Sequence, residues 1–157
     1  MRLTVVGIGN PYRHDDAVGL EVARLLRRRP PPGVDVLESE GEPTSLLLAW
    51  EGADAVWIID AAESAAPPGT VHRVEADDHA LPREVGAAST HALGLADTVE
   101  IGRGLGRLPK HVVIYAISGR DFSAGEGLDP DVAAAARTVA AAVRAETADH
   151  AAPPSRG

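Results

Sequence analysis

The stretch Leu3-Thr4-Val5-Val6-Gly7-Ile8-Gly9-Asn10-Pro11-Tyr12-Arg13-His14-Asp15-Asp16-Ala17-Val18-Gly19 decides the fold. Leu3 to Ile8 is an apolar run that reads as a buried strand, and Gly9-Asn10-Pro11 stops it, because those residues extend neither a strand nor a helix. Asp15 and Asp16 then precede Val18, Val22, Leu25 and Leu26, whose spacing puts four apolar side chains on one helical face. Strand, acid-bearing turn and helix follow in that order. Two acids at a helix start have a purely structural reading, one as N-cap and the other favoured by the positive end of the helix dipole. A functional reading needs partners elsewhere in the chain.

The totals bound the answer. With 157 residues, 45% of them hydrophobic, the chain is long enough for one sizeable core and short for two. There is no cysteine, which excludes disulfides, iron–sulfur clusters, thiolate zinc sites and a Cys nucleophile, so any metal falls to carboxylate and imidazole. Aromatic residues make up 3% and the formal charge is −8, a poor match to a nucleic-acid partner, which calls for a basic face and stacking rings. No apolar run approaches the roughly 20 residues that span a bilayer, and no signal-peptide pattern is seen. The expectation is a cytoplasmic protein with no membrane and no nucleic-acid partner. Arg27-Arg28-Arg29 before Pro30-Pro31-Pro32 reads as a positive helix end stopped by proline.

Further along, Val34, Val36 and Leu37 suggest a second strand closed by Glu38-Ser39-Glu40-Gly41-Glu42, and Pro43-Thr44 opens a short Leu-rich helix over 45–51. Asp54-Ala55-Val56-Trp57-Ile58-Ile59-Asp60 is the clearest strand, a continuous apolar run of the kind covered on both faces. Pro67-Pro68-Gly69 precedes Thr70 to Val74, which alternates like a half-exposed edge strand. Residues 75–88 read as a long loop, and Ser89-Thr90 as the cap of a helix carrying Leu93, Ala96, Val99 and Ile101. Val112 to Ile117 reads as another strand, and Asp129-Pro130 as the cap and first turn of a last helix over 131–146. Thr147 to Gly157 lacks periodicity and reads as a disordered tail. Alternating strands and helices predict an α/β fold in one domain over 1–146: a three-layer α/β/α sandwich, its twisted, mostly parallel sheet covered by helices on both faces.

In such sheets ligands bind along the edge where the strands end. Three groups are expected there: Asp16 after the first strand, Asp60 at the end of the third, and His91 in the first turn of the helix after the long loop. A helix dipole favours a carboxylate at Asp16 and a neutral ring at His91. Two oxygens and one imidazole nitrogen suit a divalent ion such as Ni²⁺, Zn²⁺ or Mn²⁺, and three ligands leave positions open for water or substrate. The structural alternatives are loop capping by Asp60 and a backbone-bonded helix end at His91. His72 and His111 in or beside strands, His79 in a polar loop and His150 in the tail are weaker candidates.

Gly7-Ile8-Gly9-Asn10 with Asp15-Asp16-Ala17-Val18-Gly19, then Ile58-Ile59-Asp60-Ala61 followed by Pro68-Gly69-Thr70, then Ser89-Thr90-His91-Ala92-Leu93-Gly94-Leu95-Ala96-Asp97 closely resemble the hydrogenase maturation proteases. The resemblance runs in register from Met1 to about Glu146. It implies an endopeptidase that removes a short C-terminal extension from the precursor of the [NiFe]-hydrogenase large subunit after nickel insertion, and so activates that enzyme. Asp16, Asp60 and His91 match the family's metal-contacting positions, and the resemblance implies that they recognise nickel presented by the substrate; zinc or another divalent ion could occupy the same site. Two mechanisms are open: water attack on a metal-polarised carbonyl with Asp16 or Asp60 taking the proton, or a direct aspartic-type reaction. A monomer is expected.

One departure stands out. The family often carries Gly-Gly-Thr after the second strand, where this chain has Glu40-Gly41-Glu42-Pro43-Thr44, so substrate choice is expected to differ. Two other readings compete. Gly9-Asn10-Pro11 and Arg13-His14-Asp15 resemble peptidyl-tRNA hydrolase, but Asp15 replaces the expected Asn and the chain is acidic. A noncatalytic checkpoint or chaperone that inspects nickel loading of a metalloenzyme precursor is the second. Gly7-x-Gly9 is too short for a dinucleotide fingerprint, since position 12 is Tyr.

Overall fold

A computed structural model describes residues 1–77 and 94–152. Its five strands are β1 (Leu3–Ile8), β2 (Val34–Ser39), β3 (Ala55–Ala62), β4 (Val71–Glu75) and β5 (His111–Ser118). Four α-helices accompany them: α1 (Val18–Arg28), α2 (Pro43–Ala49), α3 (Leu95–Gly104) and α4 (Pro130–Ala151). The strand order is β2-β1-β3-β5-β4. β1 pairs parallel with both β2 and β3, β3 pairs parallel with β5, and only β4, at the edge, is antiparallel.

The central strands are buried on both faces, as their unbroken apolar runs require. Val5, Trp57, Ile59, Val113, Tyr115 and Ile117 pack against one layer that includes Val18, Val22 and Leu26 of α1 and Val132, Val139 and Val143 of α4. Val6, Ile8, Val56, Ile58, Val112 and Ile114 pack on the other side with Leu46, Trp50, Leu95 and Val99. The expected three-layer α/β/α sandwich is therefore the observed one.

Two boundaries differ from the sequence reading. β3 continues through Ala61 and Ala62, so Asp60 lies inside the strand, opposite Ala116; small alanines next to β5 extend the ladder beyond the acid. α3, which carries Ala96, Val99 and Ile101, starts at Leu95 after an extended Gly94 (φ −61°, ψ 153°); the expected Ser89-Thr90 cap lies outside the described residues. The last helix runs to Ala151 instead of ending at Glu146, and Thr147, expected to open a disordered tail, is fully buried with its hydroxyl donating to the Val143 carbonyl at 2.9 Å. Alanine dominates this helix, and alanine's high helix propensity carries it past the last apolar anchor.

Asp15 and Asp16 lie in a 3₁₀ turn over His14–Ala17 that leads into α1, and the N-cap position is Ala17, which makes no side-chain cap hydrogen bond. Packing holds the helix instead. Val18, Val22 and Leu26 are fully buried, each worth about 1.5 to 3 kcal/mol, against roughly 1 kcal/mol for a cap. Arg27 donates to the Val36 carbonyl at 3.0 Å and pairs with Glu38 at 3.2 Å, so the basic cluster ties a helix end to β2.

Candidate active site

The carboxyl ends of β1 and β3 lie side by side. Gly7 is opposite Ile59, and carrying that register one step on sets Asp60 level with Ile8. The 3₁₀ turn then packs against β3 because Gly19, the second residue of α1, has no side chain: a Cβ there would collide with the carbonyl oxygens of Ile8 and Ile59. The bare glycine seats the helix start across both strand ends. Asp16 and Asp60, 44 positions apart in the sequence, thus arrive at one edge of the sheet.

Both acids are buried, Asp16 completely and Asp60 to 3% exposure, and main-chain amides hold them. Asp16 Oδ2 accepts from the Asn10 amide at 2.9 Å, and Asp60 Oδ1 accepts from the Ala61 amide at 2.8 Å. An amide donor fixes the direction in which a carboxylate points, so these contacts orient the acids. Hard oxygen donors in such a setting suit a divalent cation or a proton in transit. His91, the third group expected here, lies outside the described residues, as do Ser89, Thr90 and His79. Among the described residues no group of three or more His, Asp or Glu is arranged to hold a metal ion.

Asp15 behaves differently from its neighbour. Fully buried, it turns to the segment between β5 and α4, accepting from the amides of Arg120 at 2.7 Å, Asp121 at 3.0 Å and Asp129 at 2.8 Å. That segment is bound further by the His14 amide to the Gly125 carbonyl at 2.9 Å and by Arg13 Nε to the Phe122 carbonyl at 3.2 Å. Within it, the Ser123 hydroxyl and amide hold the Asp121 carboxyl below its ordinary range. Burial pushes the Asp129 carboxyl up, but the Asp131 amide and the Arg120 guanidinium outweigh it and leave a net lowering. Sequence reading missed this role of Asp15; the only sign of it was a Gly- and Ser-rich loop able to close on an acid.

Beside the acids, a groove of about 430 Å³ runs between the end of β1 and the turn after β2, lined by Pro11, Arg24, Glu38, Ser39, Glu40 and Glu42 among others. Ser39 organises it: its carbonyl accepts from the Gly9 amide at 3.0 Å, and its hydroxyl accepts from the Gly41 amide at 3.0 Å and meets the Ser45 hydroxyl at 2.9 Å. The Glu40-Gly41-Glu42 departure therefore faces the space next to Asp16.

His111 and His150 belong to a separate place. His72 is on β4, His111 opens β5, and His150 sits in the last turn of α4, with its ring edge-on to Trp57 and His111 at 5.7 and 5.0 Å. There Glu146 accepts from Arg73 Nη2 at 2.7 Å, from Trp57 Nε1 at 3.3 Å and from the Tyr115 hydroxyl. Burial opposes ionisation of Glu146, but Arg73, Tyr115 and Trp57 together hold its carboxyl below the ordinary range. The same burial, with Glu146 as acceptor, pushes the Tyr115 phenol up to about 12.

Similarity to known proteins gives this mostly parallel α/β sandwich a family. The family model for hydrogenase maturation proteases matches residues 20–146. The hydrogenase 2 maturation protease of Escherichia coli K12 is 31% identical over 137 residues, covering 85% of this chain and 83% of that protein. A hydrogenase expression/formation protein of Thiocapsa roseopersicina is 30% identical over 119 residues, but the match spans only 53% of its length. Among solved structures, the hydrogenase maturating endopeptidase of Escherichia coli superimposes with a TM-score of 0.77 at 27% identity, covering 96% of this chain and 94% of that one. The chain belongs to the hydrogenase maturation protease family. No helix among the described residues is long and apolar enough to cross a membrane.

Proposed function

We propose that this chain removes a C-terminal extension from the precursor of a [NiFe]-hydrogenase large subunit after nickel insertion, and that Asp16, Asp60 and His91 recognise the nickel carried by that substrate. The observation behind this reading is the pair of buried carboxylates, Asp16 and Asp60, delivered to one sheet edge by different strands and held by neutral amides. Two carboxylates and an imidazole are a donor set suited to completing the shell of an ion that a partner presents, and a weak, open set does so without retaining a metal of its own. Substrate nickel supplies Lewis acidity beside the scissile carbonyl. One of the two acids takes the proton of the attacking water and returns it to the departing amine as the C–N bond breaks. The groove lined by Glu38, Ser39, Glu40 and Glu42 accommodates the extended segment flanking that bond. The protein acts in the cytoplasm as a monomer, with the precursor as partner and neither nucleic acid nor membrane required.

The test mixes purified protein with nickel-loaded and nickel-free precursor and follows the precursor's mass. Loss of a C-terminal fragment from the loaded form alone, abolished by His91→Ala, is the expected result. Equal cleavage of both forms overturns nickel recognition; cleavage of neither overturns the peptidase reading in favour of a loading checkpoint.

A further inference from the structure

Resting on that reading, we propose that Asp15 is a positioning residue: it braces the acid-bearing turn against the segment between β5 and α4 and thereby sets where the Asp16 carboxylate lies. The amides that donate to the Asp15 carboxylate come from both ends of that segment, Arg120 and Asp121 at its start and Asp129 at its finish, so one buried carboxylate draws the segment closed. The closure is tied back to the turn at a second level, the Asp15 amide donating to the Asp121 carbonyl at 2.9 Å and the Gly125 amide to the Tyr12 carbonyl at 2.8 Å. Asp16 is the next residue in the chain, its amide donates to the Arg13 carbonyl at 3.0 Å, and its side chain is gripped by Asn10. A shift of the turn therefore moves Asp16 with it.

The fit is close. A Cβ on Gly119 would lie 2.8 Å from the Asp15 Cβ and 2.7 Å from Phe122 Cζ, nearer than atoms pack. Three amide donors converge on two carboxylate oxygens, so an asparagine, which replaces one oxygen by an NH₂ group, must set donor against donor at one end of the segment. That end separates. The consequence reaches catalysis through Asp16 without Asp15 touching substrate.

Two variants test this, Asp15→Asn and Gly119→Ala, the second leaving every hydrogen-bonding group in place while pushing Asp15 aside. The first readout needs no substrate: the amide resonance of Asn10, whose proton points at Asp16, is followed by ¹H–¹⁵N NMR. It is expected to move in both variants while resonances of β4 stay. The second readout is turnover of nickel-loaded precursor at a temperature where the variant is folded. A misplaced general base costs kcat about a hundredfold, while KM for the precursor stays within about twofold. If Asp15→Asn does not fold, Gly119→Ala decides alone. A folded variant with an unmoved Asn10 resonance and unchanged kcat, altered only in melting temperature, overturns the positioning role. Failure of the wild-type protein to cleave any precursor overturns the processing reading instead, and the Asn10 measurement still judges Asp15.

Discussion

The two ends of the parallel strands each hold carboxylates, buried at one end and half-buried at the other, and they do so by different means. At the carboxyl end, Asp15, Asp16 and Asp60 take backbone amides as donors. At the amino end, Glu146 takes a guanidinium, an indole and a phenol. Amides orient a carboxylate; Arg73 offsets the charge of Glu146 and is itself held protonated, foremost by that contact. On the proposed function one edge meets an arriving cation or proton, while the other joins β3, β4, β5 and α4. A buried acid signals chemistry here according to who donates to it, more than by burial alone.

The widest gap between the two edges appears on removing charge. Asp60→Asn should lower the rate of precursor cleavage by about a thousandfold or more with little change in melting temperature, because an amide oxygen neither takes a proton nor matches a carboxylate as a ligand; mass spectrometry of timed digests measures it. Glu146→Gln should do the reverse. Arg73 loses its counter-charge, so unfolding in urea should report a loss of about 1 to 2 kcal/mol, kept small by the 38% exposure of Arg73, and kcat should be unaltered. Between these extremes, Ser39→Ala removes the hydroxyl that accepts from Gly41, at a cost of about 1 kcal/mol or less, and should raise KM for the precursor severalfold with kcat little changed.

The smallest effect is read in pH. Because folding raises the Tyr115 phenol from 10.0 to about 12, its contribution is fully present below pH 10 and is lost as pH climbs from 10 towards 12. Tyr115→Phe should flatten that alkaline limb of the stability profile. Glu146 has the opposite sign: its folded value lies below the ordinary 4.5, so its contribution is present above that value and fades as pH falls through the folded one, a fading that Glu146→Gln should abolish.

Much of this architecture is legible in the chain because local pattern and tertiary role agree. Val56 to Ile59 is apolar without interruption since helices cover both faces, and Asp129-Pro130 begins α4 as it reads, with the Asp129 side chain accepting from the Asp131 amide at 2.9 Å. Asp16 and Asp60 could be named as a pair because an α/β sheet sends strand ends to one edge. What sequence could not supply was the division of labour inside Asp15-Asp16. Adjacent identical residues in a 3₁₀ turn point to different neighbours, and the neighbour of Asp15 is more than 100 residues away. Glu146 was equally opaque: read as the last helical residue before a tail, it is instead the hub of a network whose members come from three strands, and only their packing reveals it.

Gly19 carries a consequence of its own. The floor beneath the acids is formed by the Ile8 and Ile59 carbonyls against a hydrogen atom, so the gauge of the whole edge is set by a methyl group that is absent. The start of helix α1 is therefore seated on the strand pair through backbone alone, so on the proposed function the spacing of the acids belongs to the scaffold.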